Sequence, residues 1–430
     1  MDIIKRDIYL KKLISRKENG LIKVITGIRR CGKSYLLFKI YKNYLLECGV
    51  KEENIITLEL DDDRKREYRN PDKLADYLYS KITNKEEMFY ILLDEVQFAI
   101  SKKEIKEKEN IRLYGILNGL MRMNNVDIYI TGSNSKFLSS DIMTEFRGRG
   151  DEIRVYPLTF SEFYSACKDI DKYDAWNEYI TYGGLPMILT RKTSADKIDY
   201  LRNLLLETYI QDVVERNNLK GNIVIDTLID ILASSIGSLT NPTKLSKTFN
   251  SNNIKTTDIT ISTYINFLLD AFIISKAQRY DVKGKKYINS PFKYYFTDIG
   301  IRNCRLNYRQ QEQTHIVENI IYNELLVRGY NVDVGVVEHN IINKEGKKQL
   351  VHYEVDFICN QGSNRYYIQS AFSIPNEEKM IQETISFNKI NDSFKKIIIT
   401  NDYGKPWHNE KGYLFINILD FLLNPTILDL

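Results

Sequence analysis

The chain has 430 residues, 43% of them hydrophobic, enough to bury a large core and, at ordinary domain sizes, to form two to four domains. Its 61 Lys and Arg against 57 Asp and Glu leave a formal charge of +4, too small to argue for nucleic acid by itself. Five scattered cysteines without C-x-x-C spacing exclude a disulfide scaffold; no signal-peptide core follows Met1 and no apolar run of about 18 residues occurs, so a cytoplasmic protein is expected.

The apolar run Leu21-Ile22-Lys23-Val24-Ile25-Thr26 predicts a buried strand. Gly27-Ile28-Arg29-Arg30-Cys31-Gly32-Lys33-Ser34 follows at once, and an apolar-periodic segment opens at Tyr35-Leu36-Leu37. Strand, G-x-x-x-x-G-K-S, helix is the order of a phosphate-binding loop. Glycines let the backbone bend around a phosphate, successive N–H groups from Gly27 to Tyr35 point inward, and the following helix presents its positive end. Lys33 is expected on the β- and γ-phosphates of ATP, and the Ser34 hydroxyl on Mg²⁺.

Residues 54–60 read as a second strand, and the following Asp61-Asp62-Asp63 reads as a solvated loop rather than a metal site. Helical spacing runs over 71–82. Met88-Phe89-Tyr90-Ile91-Leu92-Leu93 is an unbroken apolar run, as in a parallel strand buried on both faces, and ends in Asp94-Glu95. Asp94 is expected to hold Mg²⁺ through water, and Glu95 to orient and deprotonate the attacking water. The mixed-charge run 102–110 reads as solvated, 111–123 as a helix, and 127–131 as a further buried strand ending in Gly132-Ser133-Asn134-Ser135. Ser133 or Asn134 can sit beside the catalytic carboxylate and sense the γ-phosphate, although a Ser/Asn-rich turn needs no such role. Arg149 precedes a fifth strand over 152–156; it either stabilises transition-state charge, within its subunit or across a boundary, or pairs with Asp151 or Glu152. Alternating strands and helices make residues 1–157 an α/β domain with a mostly parallel sheet.

Thr26 to Ser34, Leu93-Asp94-Glu95-Val96-Gln97, Thr131 to Ser135, Gly148-Arg149, Pro157-Leu158-Thr159-Phe160-Ser161-Glu162-Phe163 and Gly183-Gly184-Leu185-Pro186 together resemble a family of bacterial and archaeal AAA-type P-loop ATPases. The C-terminal part of that family is a domain of unknown function related to nuclease folds. The resemblance runs nearly the full chain. A glutamate directly after the aspartate places the chain with ATPases that have an extra strand between the two motifs. Residues 158–220 are then expected as a small helical lid, in which Glu215 and Arg216 read as a solvated helix end.

Three helical segments, 223–236, 241–249 and 258–272, and two strand-like runs, 273–280 and 286–296, predict a winged-helix-like domain over 221–300, which the resemblance also implies. Lys276, Arg279, Lys283, Lys285, Lys286 and Lys293 on that hairpin can contact DNA phosphate, or form a solvated wing or protein-docking surface. The expected recognition helix, 259–270, has no Lys or Arg, which argues against base readout. Residues 301–430 follow the helix–strand–strand–strand order of a PD-(D/E)XK nuclease core, with Glu318 and Glu324 on the helix and Asp356 on the second strand. Gln369-Ser370-Ala371 stands where an acid and a lysine are required, so cleavage is not expected. His315, His339, His352 and His408 are too dispersed for a zinc site. The expected protein is thus a Mg²⁺-dependent ATPase whose turnover moves its lid and C-terminal modules; a slow nucleotide-gated switch for a protein or DNA partner is the alternative, an ATP-gated nuclease the third reading, self-association is open and no membrane partner is expected.

Overall fold

The computed structural model describes residues 4–101, 104, 111–132, 149–167, 170–217, 219, 223–309, 312–342 and 346–430. Contacts divide the chain into two compact units, Met1–Pro157 with Asp270–Phe272, and Leu158–Leu269 with Ile273–Leu430.

The first unit is built on β1 (Ile22–Thr26), β2 (Ile55–Glu59), β3 (Phe89–Asp94), β4 (Val126–Thr131) and β5 (Gly150–Arg154), all parallel, in the order β2-β3-β4-β1-β5. β1 and β3 are buried at every residue, which is why both read as unbroken apolar runs. β4 lies between the strand that feeds the glycine-rich loop and the strand that ends in Asp94, giving the expected extra strand between the two motifs. Ile56, Leu58, Leu74, Leu78, Ile91, Leu113, Leu117 and Ile128 are part of the core beneath this sheet. Helix Pro71–Lys81 starts where the Asn70 side chain caps the N–H groups of Asp72 and Lys73 and Pro71 fills the first turn.

Two buried residues of β1 and β4 are charged. Lys23 of β1 is fully buried and its ammonium bonds the Asp127 carboxylate of β4. Asp127 also accepts from the Tyr129 hydroxyl at 2.7 Å and from the Glu18 N–H at 2.9 Å, so the ionised pair is enclosed by donors.

In the second unit, helices Phe160–Ala166, Lys172–Tyr182 and Ser194–Asn203 come first; the last continues through a π turn, Leu204–Ile210, into Gln211–Arg216. Helices Ile223–Ser234, Pro242–Ser251, Asp258–Asp270, Ile299–Arg305 and Gln313–Val327 follow. Its sheet contains β6 (Ile274–Asp281), β7 (Lys286–Phe296), β8 (Asn331–Ile342), β9 (Lys348–Gln361), β10 (Asn364–Ala371), β11 (Lys395–Thr400), β12 (Trp407–His408) and β13 (Leu414–Asn417), in the order β12-β13-β11-β10-β9-β8-β6-β7. The hairpin expected as the wing of a winged helix is therefore the outer pair of an eight-stranded sheet. β6 pairs with β8 in parallel through Arg279 with Val334 and Asp281 with Val336. The boundary expected at 300/301 falls inside the segment that links β7 to β8 of this one sheet.

Candidate nucleotide-binding site

The loop after β1 has a backbone that only its glycines can supply. Gly27 lies at φ +141°, and a Cβ there would stand 2.1 Å from the Val155 carbonyl oxygen, so any side chain would collide with the chain leaving β5. Gly32 follows at φ +101°, and Arg30 between them adopts φ +69°. The rest of the loop is tied down from behind. The Cys31 thiol donates to the Val155 carbonyl at 3.4 Å, and the buried Arg6 guanidinium donates to the carbonyls of Cys31 at 3.3 Å and Tyr156 at 2.6 Å. Arg6 sits in a charged segment without periodic or motif signal, so sequence reasoning passed over it. Lys33 is 4% exposed, and its ammonium donates to the Gly27 carbonyl at 3.0 Å and the Ile28 carbonyl at 3.2 Å. Its charge is thus held within the loop itself, while Tyr35 is exposed at the start of the helix.

Beside the loop, at the end of β3, Asp94 is 3% exposed, accepts a hydrogen bond from the Thr131 hydroxyl and lies beside the Ser34 hydroxyl. Burial pushes its carboxyl up to about 6, against the pull of those two hydroxyls. The structure therefore brings together the two residues expected to ligand magnesium. A buried carboxylate next to a hydroxyl is a donor set that fits a hard divalent cation. Glu95 leaves the strand at φ +51°, its N–H bonded to the Thr131 hydroxyl at 3.2 Å and its carboxylate accepting from the Gln97 amide. Thr131 and Gln97 were not singled out from the sequence; their signals were a hydroxyl at the end of β4 and an amide two residues past Glu95.

Ser133 and Asn134 lie outside the described residues. Arg149 is exposed just ahead of β5, and its carbonyl accepts from the Ile22 N–H at 3.0 Å. Its expected acidic partners are engaged elsewhere: Asp151 with Arg16 at 2.7 Å, and Glu152 with the Thr26 hydroxyl at 2.6 Å.

A second group of charges lies in the second unit. Lys293 of β7, expected on a solvated wing, is 2% exposed, with its ammonium 2.8 Å from Glu318, 2.7 Å from Glu354 and 3.7 Å from Asp356. The reason is the sheet: β7 is covered by helix Gln313–Val327, where Tyr295 stacks on Tyr322 at 4.2 Å and donates to Glu318 at 2.6 Å. Burial opposes the ammonium, yet the three carboxylates hold it well above the ordinary lysine range. Asp356 is also raised, to about 8, because burial and the Glu318 and Glu354 charges outweigh Lys293. The register shift between β8 and β9 sets two residues, Asp356 and Phe357, opposite Val334 alone, and this bulge carries Asp356. Gln369 and Ser370 of β10 reach the same aspartate, Gln369 accepting from its N–H at 3.4 Å and Ser370 N–H donating to its carboxylate at 2.8 Å. Among the described residues no group of three or more His, Cys, Asp or Glu is placed to hold a metal, and no helix is long and apolar enough to cross a membrane.

Residues 19–164 match the family described as AAA domain, and residues 173–312 match a domain of unknown function (DUF8612). The chain is 33% identical over 426 residues to an uncharacterized protein of Haemophilus influenzae, covering 98% of this chain and 99% of that protein. It is 29% identical over 422 residues to an uncharacterized protein of Methanocaldococcus jannaschii, covering 94% and 86%. Among solved structures, the Aeropyrum pernix ORC1 protein in complex with DNA is similar at 12% identity and a TM-score of 0.28, covering 71% of this chain and 94% of that one. That score is too low to carry an argument about function.

Proposed function

Because the chain belongs to the family of the Haemophilus influenzae protein and carries an AAA-type P-loop ATPase domain, we propose that it is a cytoplasmic Mg²⁺-dependent ATPase that couples turnover to movement of its helical lid, 158–220, and C-terminal modules. One observation supports this reading above the others: Asp94, buried at the end of β3 and bonded by the Thr131 hydroxyl, lies beside Ser34 and next to a loop that encloses the Lys33 ammonium. In this reading, the amides from Gly27 to Tyr35 and the Lys33 ammonium hold the phosphates of ATP. Ser34 and Asp94 would hold Mg²⁺, which would supply neutralisation of phosphate charge. Glu95 takes the proton of the attacking water, Ser133 or Asn134 orients the γ-phosphate, and Arg149 stabilises charge in the transition state.

Steady-state turnover with ATP and magnesium tests the proposal. Wild type is expected to hydrolyse ATP, Glu95→Gln to bind it without turnover, and Lys33→Ala to show no heat of association in calorimetry. ATP binding with negligible wild-type turnover would favour the switch reading instead. If Lys33→Ala changed neither binding nor turnover, both readings would fall.

A second reading, a nuclease under nucleotide control, has Lys293 in its favour. The cation absent at Ala371 of β10 is supplied within 3.7 Å of Asp356 by β7. Magnesium-dependent cleavage of plasmid that disappears in both Asp356→Ala and Lys293→Met would support it, and intact plasmid at high protein concentration would exclude it. Contacts of DNA with the hairpin 276–293 would then rest on its outward cations, since Lys293 is buried.

A further inference from the structure

The turn after β3 contains an arrangement that the proposed reaction does not yet use. Glu95 stands at φ +51°, a left-handed conformation uncommon for a residue with a side chain. It ends the strand and starts the tight turn Val96–Ala99. That turn is pinned in the core, because Val96 and Ala99 are both buried. The Glu95 N–H is bonded to the same Thr131 hydroxyl that donates to Asp94, so β4 fixes the backbone on which both acids stand. The Glu95 carboxylate is held separately, by the Gln97 amide nitrogen donating to Oε2. Only the nitrogen can face a carboxylate favourably, so this contact sets which way the amide lies. The other end of that amide, Gln97 Oε1, is buried and meets no donor among the described residues, so Glu95 is the side chain this amide serves there.

We propose that Gln97 is a positioning residue for ATP hydrolysis, holding the Glu95 carboxylate in one rotamer so that the base meets the attacking water already oriented. This rests on the reading of Glu95 as the base. The logic is that of a base oriented by a third group: Gln97 acts through Glu95, and it removes the side-chain freedom that Glu95 would otherwise lose in the transition state. Gln97→Leu keeps the bulk and removes the donor. Its expected effect is a kcat lower by about ten- to hundred-fold, a fraction of what general-base catalysis supplies, with KM for ATP within about twofold of wild type. Gln97→Glu sets a second carboxylate against the first; its kcat is expected to fall at least as far, and the acid limb of its pH–rate profile to move to higher pH, because a neighbouring negative charge eases protonation of the base.

Calorimetric titration of each full-length variant with ATP and magnesium provides the folding control. If one variant does not bind ATP, the other carries the test. Wild-type kcat in both variants, with Glu95→Gln inactive, would overturn the assignment of Gln97 alone. Wild-type kcat in Glu95→Gln would instead remove the base, and this inference with it. A fall in kcat matched by an equal loss of ATP affinity would also overturn it, since positioning of the base moves kcat and not binding.

Discussion

Asp94 is where a single side chain sets the conditions under which the site can work. Its carboxyl is pushed up to about 6 by burial, and only the ionised form can hold a divalent cation. Magnesium affinity measured with ATP present is therefore expected to be constant above about pH 7 and to fall below pH 6, approaching tenfold per pH unit as one proton competes for the site. A flat response between pH 5 and 7 would mean that Asp94 is not the group that titrates. The sign for folding follows from the same shift. In the nucleotide-free protein the folded state holds the Asp94 proton more tightly than the unfolded chain, so this group costs stability as pH rises from the ordinary aspartate range towards 6, and the cost is constant above that. Lys23 illustrates what a sequence conceals at this scale. Within an apolar run its charge carries no signal of a partner, because Asp127 lies 104 positions away on β4.

At the scale of elements, what could be read from the sequence depended on how each strand is buried. β1, β3 and β4 lie in a parallel sheet and read as largely apolar runs, so the sequence alone places their motifs at strand ends. The Gly183-Gly184 turn was legible as a turn, but its cause was not: the Gly184 N–H donates to the buried Asp298 carboxylate at 2.8 Å, and a Cβ at Gly183 would lie 2.2 Å from that carboxylate. β6 and β7 were legible as a hairpin but not as the border of a larger sheet, because a hairpin has the same alternation in either setting. The deciding contact, parallel pairing with β8, leaves no local trace. The same limit hid the role of Lys293, since a lysine was sought on β10, where Ala371 stands. Lys293→Met is expected to lower stability by about 3–5 kcal/mol, because it leaves buried carboxylates without their cation. Chemical denaturation of the full chain would read this as a lower midpoint. Loss of the wild-type midpoint by less than about 1 kcal/mol would show that solvent already reaches these acids.

For the molecule as a whole, the division into two units separates the nucleotide chemistry from the large mixed sheet. A ligand that binds only the folded first unit stabilises it by mass action, by about 2.7 kcal/mol at a hundredfold excess over Kd. Hydrogen exchange with and without ATP and magnesium is expected to slow in β1, β3 and β4 and to remain unchanged in β8, β9 and β10. Equal protection of all six strands would show that the two units open as one.

The order of strands in the larger sheet has a consequence for how the protein is made. β6 ends at Asp281 and its parallel neighbour β8 begins at Asn331, 50 residues later (331 − 281). At translation speeds of roughly 5–20 residues per second, the nascent hairpin waits for several seconds on the ribosome with one ladder of backbone groups unmet. Lys283, Lys285 and Lys286, at and beside its turn, set like charges next to that open edge, the kind of edge charge that discourages pairing with another chain.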